Sequence, residues 1–125
     1  MTRTDAHILI VEDSSAIRRI MKMQLQQMGF SRIHEAQDGS AALALLQAEK
    51  MDLIISDWHM PRMNGVELLR RVRGSEETKD IPFIMMTGDA SAAGVQMALR
   101  LQVNDLLLKP FSLELLEKKI GRIMH

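Results

Sequence analysis

Five short apolar segments alternate with stretches of helical periodicity, and this alternation constrains the fold more than any other feature of the chain. The segments read HILIV, RIHEA, DLIIS, PFIMM and DLLL, centred near Leu9, His34, Ile54, Ile84 and Leu107. Four are almost entirely apolar, as strands covered on both faces should be, whereas the second is mixed, as expected of an edge strand. The pattern predicts an α/β fold: a doubly wound, five-stranded parallel sheet with right-handed crossovers and helices on both sides.

The intervening stretches carry apolar residues at three- and four-residue spacing and predict five helices. The first is expected to end at Gly29, the third to begin at Asn64, and the last to begin near Ser112. The fourth, from about residue 91 to residue 101, has the weakest pattern because Gly94 lies inside it.

Composition narrows the class of protein. A chain of 125 residues with 46% hydrophobic content predicts one domain over residues 1–125, without a separate output domain. The 16 basic residues equal the 16 acidic ones, so nothing indicates binding to nucleic acid or to an anionic membrane. Cysteine is absent, which excludes disulfides, and no segment has the length of a signal peptide or membrane span. We expect a cytoplasmic protein.

Polar residues stand where four of the predicted strands end. Glu12 and Asp13 follow the first strand, Asp57 the third, Thr87 the fourth and Lys109 the fifth. In open parallel sheets, ligands bind beyond the carboxyl ends of the strands, so these side chains are expected at one rim. Three close carboxylates repel one another, and a single ammonium cannot balance them. The sequence therefore predicts a bound divalent cation, and Mg²⁺ suits such oxygen ligands.

With a cation present, Asp57 could attack phosphorus and form an aspartyl phosphate. Mg²⁺, the Lys109 ammonium and the Thr87 hydroxyl would then each neutralise an oxygen of the transferred group. The residues leave other classes open. A phosphatase with an aspartate nucleophile would want a second acid where His59 stands, and a flavodoxin-like redox protein would want a Ser/Thr/Gly-rich first loop instead of Glu12 and Asp13. An interaction module without phosphorylation is a third alternative.

Taken together, the motifs carry a family resemblance. The pair ED after the first strand, DWHMPRMNG after the third, TG after the fourth and KPF after the fifth resemble bacterial response-regulator receiver domains over essentially the whole chain. Within that family the sequence is most similar to single-domain chemotaxis regulators, including Trp58 beside Asp57. The resemblance implies a flavodoxin-like strand order of 2-1-3-4-5. It also implies a two-component signalling protein rather than an enzyme, with self-catalysed phosphorylation and dephosphorylation as its only chemistry.

The family assigns a role to each rim residue. Asp57 would accept a phosphoryl group from a histidine kinase or phosphotransfer protein. Mg²⁺ would be held by Glu12, Asp13, Asp57 and the main-chain carbonyl of His59. Thr87 would be the switch hydroxyl and Lys109 the phosphate-pairing cation, and the Lys109–Pro110 bond would be cis.

Three residues are candidate modulators. Leu106 stands where the family usually carries Tyr or Phe, a ring that partners read in the active state. His59 and Asp89 occupy positions that border the path of attacking water, and our hypothesis is that they tune the lifetime of the phosphate.

The resemblance also suggests partners and pathways. We expect an output protein to bind the face formed by the fourth helix, fifth strand and fifth helix. Chemotaxis is one pathway; a phosphorelay intermediate or a phosphate sink outside chemotaxis are alternatives. The four histidines show no metal-ligand spacing, so no zinc site is expected.

Overall fold

The computed structural model describes residues 3–88 and 92–124, and a single five-stranded parallel sheet forms its centre. The strands are β1 (His7–Val11), β2 (Arg32–Ala36), β3 (Leu53–Asp57), β4 (Phe83–Thr87) and β5 (Asp105–Leu108). Their order is β2-β1-β3-β4-β5 with every pair parallel, which confirms the predicted topology. Strands β3 and β4 are each shifted one residue along from the apolar segments, so that Asp57 and Thr87 are the last residues of their strands.

Five helices connect and flank the strands, as predicted. They are α1 (Ser15–Gln27), α2 (Gly39–Ala48), α3 (Gly65–Arg73), α4 (Ala92–Arg100) and α5 (Leu113–Ile123), and a 3-10 turn at Arg3–Asp5 precedes the sheet. Four helices follow a residue whose side-chain oxygen accepts a hydrogen bond from a backbone N–H three positions on, namely Ser14, Asp38, Asn64 and Ser112. Gly29, with φ of 99°, follows the end of α1 in the left-handed conformation that favours glycine.

The helices cover both faces of the sheet. Residues that alternate along a strand point to opposite faces, so Ile54 packs into the cluster beneath α2, α3 and α4, while Ile55 packs into the cluster beneath α1 and α5. The central strands β3 and β4 are buried at every position, whereas β2 is largely exposed or half-buried, as expected at an edge. In the described part of the chain, no helix has the length and apolarity needed to cross a membrane.

The turn after β3 brings the start of α3 close behind Asp57. The Trp58 N–H donates to the Met86 carbonyl at 2.8 Å, and the Gly65 N–H donates to the Trp58 carbonyl at the same distance. A Cβ on Gly65 would lie 2.5 Å from the Asp57 carbonyl oxygen and 2.6 Å from the Met85 sulfur. Only glycine therefore allows this approach, which fixes the backbone of Asp57 from behind.

We predict that Gly65→Ala lowers the free energy of unfolding by about 1–3 kcal/mol, because the added methyl overlaps a backbone oxygen that cannot move freely. The matched control is Gly121→Ala in α5, where a Cβ would meet no atom within 4 Å. The control should gain about 0.5–1 kcal/mol from the helix propensity of alanine. Urea unfolding of both variants measures the difference, and equal effects would contradict the steric account.

Candidate functional site

Three carboxylates meet at the carboxyl end of the sheet. Asp57 is the last residue of β3, and Glu12 and Asp13 follow β1 directly. Each of the three offers a carboxylate oxygen, and these oxygens lie within 4.8 Å of one another. Glu12 and Asp57 are buried, with 1% and 7% of their surface exposed, whereas Asp13 is exposed. Two buried acids thus form the floor of the site and an exposed acid forms its edge.

The parallel sheet itself brings these residues together. Strands β1 and β3 are neighbours, and Val11 is in register with Ser56, so the residue after each is an acid at the same level. The Glu12 N–H donates to the Ala36 carbonyl at 3.0 Å, which extends the ladder with β2 by one residue. The Glu12 carbonyl in turn accepts from the Arg18 guanidinium. The backbone of Glu12 is therefore held from both sides.

Lys109, which follows β5, extends its side chain across the rim to both buried acids. Its Nζ lies 2.7 Å from Glu12 Oε1 and 3.2 Å from Asp57 Oδ2. The backbone N–H of Lys109 donates to the Thr87 carbonyl at 2.8 Å. Burial alone would lower the pKa of Lys109, but the hydrogen bond that its ammonium donates to Glu12 and the charges of Asp57 and Glu12 outweigh burial and raise the pKa above its usual value. Lys109 is therefore an ammonium ion at neutral pH.

The raised pKa of Asp13 reflects the excess of negative charge at the rim. A hydrogen bond with Glu12, then partial desolvation and the Glu12 charge, raise the pKa of Asp13 above its ordinary value. Three carboxylates and one ammonium leave two negative charges at the rim when all are ionised. A divalent cation would balance that charge, and three hard oxygen donors fit Mg²⁺.

The other predicted residues occupy different environments. Thr87, fully buried, ends β4 one residue beyond Met86, the register partner of Asp57. His59 is exposed on the loop after β3, and its carbonyl-ligand and modulator roles stay predictions. Leu106 is half-buried against the cluster beneath α2, α3 and α4. The Lys109–Pro110 bond is cis, as the resemblance implied, and Asp89 lies outside the described residues.

The four histidines show no metal-ligand spacing in the sequence, but the structure brings two of them together. His7 Nδ1 lies 3.0 Å from His34 Nε2, and His34 Nδ1 lies 3.1 Å from Glu49 Oε2. His7 and His34 are 27 residues apart in sequence, so no local spacing announces the pair. The pairing of β1 with β2 brings them together, and only the strand register could have shown it.

Known proteins share this fold and are similar to this chain in sequence. A family model for the response regulator receiver domain matches residues 8–121. The chain therefore belongs to the response-regulator receiver family. The chemotaxis protein CheY of Pseudomonas aeruginosa is 41% identical over 118 residues, which cover 94% of this chain and 95% of that protein.

Solved structures agree with the sequence relatives. The chemotaxis protein CheY4 of Vibrio cholerae superposes with a TM-score of 0.90 at 36% identity, covering 95% of this chain and 98% of that one. The receiver domain of a Pseudomonas aeruginosa sensor histidine kinase, which holds magnesium in its active-site cleft, superposes with a TM-score of 0.87 at 27% identity, covering 96% and 98%. The fold is thus that of CheY-like receivers.

We predict that Asp13→Asn changes the pH dependence of stability in the presence of a chelator. The pKa of Asp13 is raised in the folded state, so the native protein holds more protons than the unfolded chain just above pH 3.8. The free energy of unfolding therefore falls as pH rises above 3.8. The variant lacks this titration, so its advantage over wild type should grow between about pH 4 and pH 7.

Urea unfolding across that pH range measures the difference. The control is Asp80→Asn, an exposed aspartate on the loop before β4. A constant difference between Asp13→Asn and wild type at every pH would contradict a raised pKa of Asp13 in the native state.

Proposed function

We propose that this receiver domain is a two-component switch in which Asp57 accepts a phosphoryl group from a histidine kinase or a phosphotransfer protein. The observation that carries the proposal is the pairing of Asp57 with a protonated Lys109 inside a cluster of three acids. A nucleophilic carboxylate needs nearby positive charge to approach a phosphoryl group, and the same charge must remain to hold the product.

Magnesium is the cofactor that the donor set favours, with Glu12, Asp13 and Asp57 as its side-chain ligands. When bound, it would neutralise the rim and supply a positive charge to the oxygens of the phosphoryl group. The neighbour of known structure with magnesium in its cleft has the same fold, which supports this assignment.

The chain's own residues supply the remaining parts of the reaction. An Asp57 carboxylate oxygen forms the new O–P bond as the P–N bond of a donor phosphohistidine breaks, and the leaving imidazole keeps that electron pair. Lys109, 3.2 Å from Asp57 Oδ2, would exchange its contact with Glu12 or Asp57 for a phosphate oxygen. Thr87 ends the neighbouring strand and would donate its hydroxyl to another oxygen. The protein is then a substrate that catalyses its own modification, not an enzyme acting on others.

Exposed apolar side chains support two separate docking surfaces. Ile20 and Met23 on α1 are more than half exposed, and Ile20 borders a groove of about 420 Å³ that reaches Lys109. A protein donor must come close to Asp57, so we assign it to this apolar surface beside the rim. The second surface holds Met97, Leu99, Leu108 and Leu115, which lie on α4, β5 and α5 and are also exposed.

The second surface fits the expected output partner. Leu106 lies on β5, two residues before Leu108, at the position where the family usually carries an aromatic ring. The signal here would therefore pass through shape and apolar contact without a phenolic hydroxyl. The similarity to chemotaxis regulators supports chemotaxis as the pathway. A phosphorelay intermediate would use the α1 surface for two successive partners instead.

A small-molecule phosphodonor with Mg²⁺ tests the central proposal. Wild type should gain the mass of one phosphoryl group and Asp57→Asn should gain none, because the amide is not a nucleophile toward phosphorus. The matched control is Asp105→Asn, which changes an acid of β5 that pairs with Lys119 on α5. This variant should react as wild type does. Addition of Mg²⁺ alone should change the fluorescence of Trp58, the only tryptophan. Phosphorylation of Asp57→Asn, or none of wild type, would overturn the assignment.

A pair of substitutions separates the two docking surfaces. Ile20→Glu should slow transfer from a protein donor at least tenfold while transfer from the small-molecule donor stays unchanged, because it places a charge in an apolar contact. Leu108→Glu should leave both transfers unchanged and weaken capture of the output partner. Rate measurements with both donors distinguish the surfaces. Equal losses of transfer from the protein donor in both variants would contradict the assignment of the two partners to different surfaces.

A further inference from the structure

A second group of potential metal ligands lies on the α2 side of the sheet, away from the phosphorylation rim. His7 begins β1, His34 lies on the adjacent edge strand β2, and Glu49 follows the last residue of α2. One nitrogen or oxygen from each lies within 4.8 Å of those from the other two. We propose that His7 and His34, with Glu49 as the orienting partner of His34, form a second cation site suited to a transition-metal ion such as Zn²⁺.

The hydrogen bonds orient the ring of His34. Its Nδ1 lies 3.1 Å from the Glu49 carboxylate, which accepts hydrogen bonds only, so Nδ1 carries the proton. In the neutral ring, Nε2 then carries a lone pair, which accepts a hydrogen bond from His7 Nδ1 at 3.0 Å. Glu49 therefore holds His34 in the tautomer that presents Nε2, an arrangement typical of metal-binding histidines backed by a carboxylate.

The two rings already have nearly the spacing that a metal requires. Their facing nitrogens are 3.0 Å apart, and nitrogens that share a tetrahedral Zn²⁺ lie about 3.3 Å apart. The ring centroids are 5.2 Å apart and the planes differ by 15°, so the rings meet nitrogen to nitrogen. If the His7 proton moves from Nδ1 to Nε2, two lone pairs face each other. A cation that lies to one side of the line between them, about 2.0–2.1 Å from each nitrogen after both rings turn toward it, removes that repulsion.

The backbone around the cluster is preorganised and the side chains are accessible. The His7 N–H donates to the Asp52 carboxylate at 2.8 Å, and the pairing of β1 with β2 fixes the strand that carries His34. The side chains of His34 and Glu49 are 21% and 48% exposed, so an ion can enter from solvent. Asp52 adds a further negative charge close by.

The donor atoms separate this site from the rim. Imidazole nitrogens favour Zn²⁺, Co²⁺, Ni²⁺ or Cu²⁺, whereas carboxylate oxygens favour Mg²⁺. His7 precedes Glu12 by five residues along β1, which corresponds to about 16 Å in an extended strand. The two ions would therefore bind independently. A bound transition metal would tie the edge strand β2 to β1 and stabilise the native state.

Titration of the full-length protein with Co²⁺ and Zn²⁺, with Mg²⁺ in excess to fill the rim, tests the proposal. Wild type should develop the visible absorption of ligated Co²⁺ and a higher unfolding temperature with Zn²⁺. His34→Gln should lose both responses, and Glu49→Gln should bind about tenfold more weakly because His34 loses its orienting partner. The matched control His59→Gln, which changes an exposed histidine near the rim, should respond as wild type does.

Equal Co²⁺ and Zn²⁺ responses in wild type and His34→Gln would overturn the proposal, and so would their loss in His59→Gln. Circular dichroism without metal checks that His34→Gln folds. If it does not, the imidazole resonances of wild type decide the matter: those of His7 and His34 should shift on addition of Zn²⁺, and unchanged resonances would overturn the site.

Discussion

Mutual repulsion among carboxylates at one end of a parallel sheet is the constraint on which the rest of this structure depends. All parallel strands end at the same edge, so Glu12, Asp13 and Asp57 cannot separate without loss of the sheet. Lys109 offsets one charge, and the hydrogen bond with Glu12 raises the pKa of Asp13. The buried apolar layers supply the stability that lets the fold hold this unfavourable cluster together.

The charged rim residues and the exposed apolar residues occupy different parts of this scaffold. The acids and Lys109 sit on strand ends or directly after them, where the backbone is fixed by the ladder, and Gly65 lets α3 support Asp57 from behind. The exposed apolar residues lie instead on α1 and on the surface of α4, β5 and α5. Thr87 connects the two regions, because it ends β4 beside Asp57 and its carbonyl binds the Lys109 N–H. In the proposed switch, a charge change at the rim would bias surfaces that never touch the phosphate.

Most of the fold could be read from local patterns. Strands β1, β3 and β4 are apolar because they are covered on both faces, whereas the apolar β5 lies at an edge of the sheet with Leu108 exposed. The polar caps Asn64 and Ser112 mark helix starts, because each accepts a hydrogen bond from the backbone N–H three residues on. The rim residues were predictable for the same reason, since each follows a strand whose end is visible in sequence. Details that depend on neighbours were less accessible. The Glu67 carboxylate, for example, contacts Arg70 and Arg71.

The sequence by itself determined the strand and helix pattern and the acids at the strand ends, because periodicity and strand termination are local properties of the chain. Only the tertiary structure decided which distant residues became neighbours. His7, His34 and Glu49 meet because β1 pairs with β2 at one register and α2 ends beside them. Ile20 stays exposed although it belongs to the apolar pattern of α1. Such relations follow from strand register and helix rotation, which packing of the whole domain sets and no single segment encodes.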